Sequence, residues 1–332
     1  MSAAPSTSPA TGGNKLDAAV DEACRICHRP LQPGPRTLFD TRFGIPNLFA
    51  LARCSGCGLE QTCPRLLDAE LTQLYERYYN YGGERQTLQY SRWRERFLFS
   101  GWYRMWMRLD GDLSFHSIRG RGRLLDVGCN EGRGLMLYRA NGYQAEGLEI
   151  NPAAAEVARA RGFAVQIASL EQVVGDQDYQ VLILANVLEH TQEPQTTLRH
   201  AHRLLRPGGE VWISCPNARS WMRQVFRSRW VNWHIPFHTV HFSESTLTPL
   251  LRESGFDPPR VRQITPALWV ASSILIAAFA RFGRPTSQLR SGPWIGGLVL
   301  ASRILGFPLF WFSNRMGGGD CLLVRARKAD PS

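Results

Sequence analysis

The stretch "LLDVGCNEGRG" at residues 124–134 constrains this chain more than any other. A short apolar run, the pattern of a buried strand, stops in a turn carrying Gly128 and Gly132 and passes straight into the helical pattern "EGRGLMLYRANG". Glycine in such a turn leaves the backbone bare enough for a ligand to lie against it. The alternation then repeats: "YQAEGLEI" reads as a strand, "NPAAAEVARARG" as a helix opened by Asn151 and Pro152, and "FAVQIA" and "YQVLILANV" as strands. "PQTTLRHAHRLLRPGG" reads as a helix and turn, and "EVWISCPN" as a further strand. Strands interleaved with helices make a doubly wound parallel α/β sheet, and such sheets bind ligands at the carboxyl ends of their strands.

A dinucleotide would want G-x-G-x-x-G at that turn. This chain has Gly128, then Asn130 and Arg133, a poor match; D-x-G-x-x-x-G, with Asp126, Gly128 and Gly132, describes it better. Glu149 closes the next strand, 21 residues after Gly128. A carboxylate there can accept hydrogen bonds from both hydroxyls of a ribose, in dinucleotide sites as in others.

Upstream, Cys24-Arg-Ile-Cys27 and Cys54-Ser-Gly-Cys57 form two C-x-x-C knuckles. That spacing turns both sulfurs of each pair toward one tetrahedral ion, so a zinc site is expected, with His28 and Cys63 as candidate substitutes for one ligand. A four-sulfur site is closed, which makes the zinc structural. The division expected from these signals is a disordered tail over 1–20, a zinc ribbon over 21–66, a helical connector over 67–118 and an α/β domain over 119–328. The connector interleaves Trp93, Phe97, Trp102 and Trp106 with Arg92, Arg94, Arg96, Arg104 and Arg108, a helix face for docking on the next domain or, as the alternative, for a substrate or membrane surface. The tail is small, polar and proline-bearing and lacks the pattern of a secretory signal. With eight cysteines and no such signal, a reduced, cytoplasmic compartment is expected.

Taken together, "LLDVGCNEGRG", "GLEINPAAAEVARARG", "YQVLILANVLEH", "LLRPGGEVWISCPN" and "FHTVHFSESTLTPLLRESGF" resemble the class I S-adenosylmethionine-dependent methyltransferases. More narrowly the chain is similar to the zinc-ribbon-bearing group found among bacterial sugar and polysaccharide enzymes. The resemblance implies a Rossmann-like seven-stranded sheet and S-adenosylmethionine as cofactor. It further implies that Asp126, Gly128 and Gly132 shape the loop around the methionine part, with Asn130 standing where the family usually has a middle glycine. Glu149 would hold the ribose hydroxyls and Ile150 would lie against the adenine. Ala168, Ser169 and Leu170 would border the adenine, and Asn186 would face the methyl-transfer cavity.

A hydroxyl acceptor needs a base, and histidine suits that role near neutral pH. His238 is the first candidate and His190, in "NVLEH", the second; His241 shares the "PFHTVHFS" segment where the family places acceptor-binding residues. Cys215, which precedes Pro216 at a strand end, reads as a buried structural thiol rather than a nucleophile. The N/D-P-P-Y/F motif of amine methylation is absent from "ANVLEH".

The last two strands of the class I fold normally form a hairpin. Here "PRVRQIT" (259–265) and "DCLLVRARK" (320–328) are separated by an insertion over 265–319. It holds no Asp, Glu or Lys and has only Arg281, Arg284, Arg290, Arg303 and Arg315 as charges. Two apolar runs, the second interrupted by Arg303 and the helix-breaking Pro308, fit an interfacial or re-entrant seat in a bilayer, or a helical lid or dimer contact. The formal charge of +11, nearly all arginine, suits an anionic partner. These features and the resemblance lead to one expectation: methyl transfer to a hydroxyl, or a carbon, of a sugar or glycan, lipid-linked acceptors included, at the inner face of the membrane. An RNA methyltransferase and a non-catalytic, cofactor-binding membrane partner are the alternatives.

Overall fold

Three antiparallel strands lead the chain, β1 (Leu31–Phe39), β2 (Leu48–Cys54) and β3 (Glu60–Cys63), in a computed structural model that describes residues 23–78, 95–175, 178–290 and 294–329. The tail expected over 1–20 and the Arg92–Arg94 part of the connector lie outside the described residues. The connector follows as α1 (Asp68–Tyr78) and α2 (Gly101–Asp110), the latter started by Ser100, whose hydroxyl accepts from the Tyr103 backbone N–H.

The α/β domain then runs β4 (Arg123–Val127), α3 (Arg133–Ala140), β5 (Gln144–Leu148), α4 (Pro152–Ala160), β6 (Val165–Gln166), β7 (Tyr179–Ala185), α5 (Pro194–Leu204) and β8 (Leu205–Pro216). After it come α6 (Trp221–Phe226), β9 (Val240–His241), α7 (Glu244–Glu253), β10 (Arg260–Ile264), α8 (Ala267–Phe279), α9 (Trp294–Arg315) and β11 (Cys321–Arg327). Seven strands form one sheet in the order β10-β11-β8-β7-β4-β5-β6. Pairing is parallel from β6 through β8, and β11 and β10 are antiparallel to their neighbours. This is the Rossmann-like methyltransferase sheet expected from the sequence. β4 lies between β5 and β7, so the order reverses at its carboxyl end and opens a crevice there. β6 is shorter than "FAVQIA" suggested; at the sheet edge it has only β5 to pair with.

Two features of the packing carry no local signal in the sequence. The ribbon does not close on itself: β9, from within the α/β domain, pairs with β3 (Glu60 with His241, Gln61 with Val240) and makes a fourth strand. Cys24, Leu31, Ala52 and Leu59 share one apolar core with Leu125, Leu182 and Leu322 of the large sheet. The second is at Pro308, expected to break its helix: α9 runs through it without interruption. Side chains on either side of the proline, Ser302, Phe310 and Ser313, are buried against the body and hold the helix in place.

The inserted helices take different positions. α8 is largely buried, with Ala267, Val270, Ala271, Leu275 and Ile276 facing inward. α9 is long and apolar enough to cross a membrane, yet only 6% of its most apolar window is buried in the molecule. It is tied to the body near its middle by Arg303, 3.7 Å from Asp110, and near its C-terminus by Asn314, whose Oδ1 accepts from the Thr265 hydroxyl at 2.7 Å.

Candidate active site

The carboxyl ends of β4, β5 and β7 open into a cleft of about 1150 Å³. On one side lie Gly128, Asn130, Glu149, Ile150, Ala168, Ser169 and Leu170; Asn186 stands in the middle. On the other side lie Tyr75, Glu189, His190, Asn232, His234 and His238, with Leu268, Trp269 and Ser272 of α8 as a wall.

The first half is built by the glycine turn. Gly128 has φ +71°, and a Cβ there would sit 3.2 Å from Val187 Cγ2, so the position stays bare for two reasons. Asn130 also takes a left-handed φ, 51°, which asparagine tolerates. Its backbone N–H donates to Glu149 Oε2 at 2.8 Å, and the Asn151 N–H donates to Oε1 at 2.8 Å. Each carboxylate oxygen keeps a second lone pair for an incoming hydroxyl. Ile150, 56% exposed at the lip, offers an apolar face of the kind a flat heterocycle covers. Asp126 and Gly132 do not reach the cleft. Asp126 is buried behind the turn, where burial and then the Glu149 charge raise its carboxyl to about 8. Gly132 begins α3, and a Cβ on it would strike Ala158 of α4 at 2.9 Å.

The second half is a nest of histidines. The ring centroids of His190 and His238 are 4.6 Å apart, and those of His234 and His238 4.9 Å. His238 Nδ1 is 2.8 Å from the Asn232 carbonyl, to which it donates, so Nε2 keeps its lone pair. Asn232 is held by the fully buried Asp320, which accepts from Asn232 Nδ2 (3.3 Å), Trp230 Nε1 (2.8 Å) and the Ser220 hydroxyl (2.5 Å). Burial outweighs those bonds and raises Asp320 to about 6. Burial also drives His238 well below the usual histidine value, assisted by the neighbouring rings of His190 and His241. His190 falls to about 4 for the same first reason; its Nδ1 is 2.9 Å from the Tyr75 hydroxyl and its ring is bonded to the Phe237 backbone. Glu189 is 1% exposed, and neither carboxylate oxygen has a hydrogen-bond partner among the described residues; desolvation raises it to about 8. Its Oε1 is 3.9 Å from His238 Nε2.

His241 belongs elsewhere. Its Nε2 is 3.1 Å from the Thr62 hydroxyl, at the seam where β9 joins β3, and it does not line the cleft. Tyr75, Glu189 and His234 also line the cleft without having been expected there. The available signal was the density of "HIPFHTVH", three histidines in eight residues, whereas Tyr75 is 115 residues from its partner and carried no signal at all.

In the ribbon, the four knuckle thiols meet: Cys24 and Cys57 sulfurs are 3.5 Å apart and Cys27 and Cys54 sulfurs 3.3 Å. Burial pushes the Cys54 thiol up, but hydrogen bonds from the Cys57 and Gly56 backbone and from Cys27 outweigh it and bring it to about 7. This donor set fits a tetrahedral soft ion. His28 and Cys63 stay outside the cluster.

A family model described as a methyltransferase domain matches residues 90–259. This chain belongs to that methyltransferase family. Its cofactor is S-adenosylmethionine, and the bare glycine turn, the doubly anchored Glu149 and the exposed Ile150 fit that molecule. Among curated relatives, a "Ubiquinone biosynthesis O-methyltransferase" of Klebsiella pneumoniae subsp. pneumoniae is 27% identical over 124 residues, 34% of this chain and 51% of that protein. A "Probable S-adenosylmethionine-dependent methyltransferase" of Mycolicibacterium smegmatis is 31% identical over 145 residues, 43% of this chain and 54% of that protein. The methyltransferase thus spans about half the length of these relatives. A solved Burkholderia thailandensis 1,6-didemethyltoxoflavin-N1-methyltransferase aligns over 85% of this chain and 96% of its own, at 16% identity and a TM-score of 0.44.

Proposed function

We propose that this methyltransferase transfers a methyl group to a hydroxyl of a sugar or glycan, lipid-linked acceptors included, at the inner face of a membrane; a sugar carbon is the variant acceptor. When bound, S-adenosylmethionine supplies a methyl group on a sulfonium, activated for in-line displacement. Gly128 and Asn130 would cradle its amino-acid part, Glu149 would accept from its ribose hydroxyls, and Ile150 and Leu170 would flank its adenine. The observation that carries the reading is His238: a neutral imidazole, its tautomer set by the Asn232 carbonyl, with a free Nε2 in the acceptor half of the cleft.

Nε2 of His238 takes the proton from the acceptor hydroxyl. His190 is already engaged by Tyr75 and Phe237 and serves to place the acceptor. Glu189, kept uncharged by burial with Oε1 3.9 Å from His238 Nε2, places a polar carboxyl group beside the imidazolium as it forms. Asn186, Thr191, Gln192 and Asn232 give this half many hydrogen-bonding groups, which suits a polyhydroxylated acceptor, while Leu268 and Trp269 suit an apolar carrier. The relatives' printed O-methyltransferase names support oxygen as the acceptor atom. The closed thiol cluster is proposed to hold a structural zinc ion, and α9 to rest on the membrane without spanning it, since it is fastened to the body at its middle and near its C-terminus.

The test is transfer of labelled methyl into fractionated cell extract, comparing organic-extractable lipid, polysaccharide and purified RNA. Label in RNA alone would sink the proposal. Glu149→Ala should abolish cofactor binding by calorimetry with the fold retained; unchanged affinity would reassign the ribose site. His238→Ala should lower kcat by about 10²- to 10⁴-fold at nearly unchanged cofactor affinity. The depressed His238 value places the acid limb of kcat well below pH 6.5. Glu189, raised from 4.5 to about 8, contributes stability that is complete below pH 4.5 and lost as pH rises toward 8. The buried histidines do the reverse and lose theirs as pH falls below 6.5.

A further inference from the structure

A second cleft, of about 1000 Å³, lies away from the cofactor turn, between α2, the 112–119 loop, the end of α3 and the strands β10 and β11. Six arginines line it, Arg104, Arg108, Arg119, Arg260, Arg262 and Arg325, against Asp112 as the one acid on its wall. Asp112 is already committed to the backbone N–H groups of His116 and Ser117 and to the Ser117 hydroxyl. Arg325 is paired with Glu210 at 2.5 Å, and Arg260 also faces that carboxylate. Arg108, Arg119 and Arg262 have exposed side chains and no ion-pair or hydrogen-bond partner among the described residues. Three guanidinium groups without an ion-pair partner around one hollow repel one another, and an anion would relieve the repulsion.

What adjoins the hollow indicates which anion. Arg108, Val261 and Arg262 also line a third cleft, whose other wall is Arg303, Phe307, Trp311 and Arg315 of α9. The same helix α9 carries the exposed apolar side chains Leu300, Ile304, Leu305 and Phe312, the last three 63%, 82% and 49% exposed. On the α2 side stand Trp102, 71% exposed, Met105 and Leu109. A basic hollow rimmed by solvent-facing tryptophan and leucine matches a bilayer surface, where apolar anchors enter the acyl boundary and guanidinium groups meet phosphates.

We infer that this arginine-lined cleft binds the phosphate of an anionic phospholipid headgroup, so that α2 and α9 together seat the enzyme on negatively charged membrane. The inference rests on the membrane reading above and adds the lipid class and the residues that recognise it. Guanidinium suits the task because its planar fork takes phosphate oxygens two at a time.

The experiment is co-sedimentation of the full chain with phosphatidylcholine vesicles, with and without phosphatidylglycerol, for the natural protein and the Arg108→Gln/Arg262→Gln double variant. Phosphatidylglycerol should strengthen binding, and the variant should lose roughly 30-fold of that binding, about fivefold per arginine. Its binding to pure phosphatidylcholine and its S-adenosylmethionine affinity should be unchanged. Equal binding of the natural protein to both vesicles overturns the inference and leaves the membrane reading intact. Binding to neither overturns both. Tight calorimetric binding of inorganic phosphate or of RNA, lost in the variant and without preference for phosphatidylglycerol, overturns the lipid source.

Discussion

The cysteine ribbon and the helical insertion are both additions to the same seven-stranded sheet, and they meet it in opposite ways. The ribbon is welded on: β3 pairs with β9, the Thr62 hydroxyl donates to the His238 carbonyl at 2.7 Å, and Arg223 reaches Glu60 at 2.7 Å. The insertion is half absorbed. α8 becomes a wall of the cleft, whereas α9 leaves most of its apolar surface to the outside. Polar backbone pairing and shared core hold the first; in the second, α8 is held by its buried apolar face and α9 by a few side chains. The contrast separates an element that shapes the base from one free to meet a partner.

The largest test of that contrast is Cys54→Ser. Loss of one of four thiols should release the proposed zinc and melt β1–β3, and because β9 lies two residues beyond His238, methyl transfer should fall by more than about 100-fold, within the range a displaced base costs. Metal analysis with a thermal melt checks it; full activity in a metal-free protein would show that the weld is not needed. His241→Ala should be smaller, costing about 0.5–1.5 kcal/mol for the hydrogen bond lost at Thr62, whose hydroxyl keeps the His238 carbonyl, with kcat within tenfold of the natural enzyme. A collapse of kcat at unchanged melting temperature would return His241 to the reacting centre. The smallest effect is expected from Ile304→Gln/Leu305→Gln: stability within about 0.5 kcal/mol, as for exposed positions, with clear loss of vesicle binding. A loss of several kcal/mol would mean that this face is covered in solution and would erase the contrast.

Local signals were legible where the chemistry is local. The glycine turn, Glu149 at the end of its strand and the C-x-x-C pairs each announce themselves within a few residues, because turn geometry and ligand spacing are short-range constraints. Cys215 is fully buried, as its strand-end position suggested. The acceptor half was less legible. His238 could be picked from its segment, but its tautomer depends on an Asn232 carbonyl that Asp320, 88 residues further on, holds in place. His241, equal to His238 as a candidate by type, faces the ribbon because a two-residue strand puts it in register with Glu60.

By itself the sequence determined the doubly wound sheet, the cofactor end of the cleft and the thiol quartet, since hydrophobic period, glycine placement and cysteine spacing act over one or two turns of chain. Only the tertiary structure decided which histidine keeps a free nitrogen in the cleft, that Tyr75 and Glu189 join it, that the ribbon and the α/β domain are one body, and that arginines from four separate segments surround one hollow. Those outcomes depend on burial and on pairing between residues far apart in the chain, and no local pattern carries either.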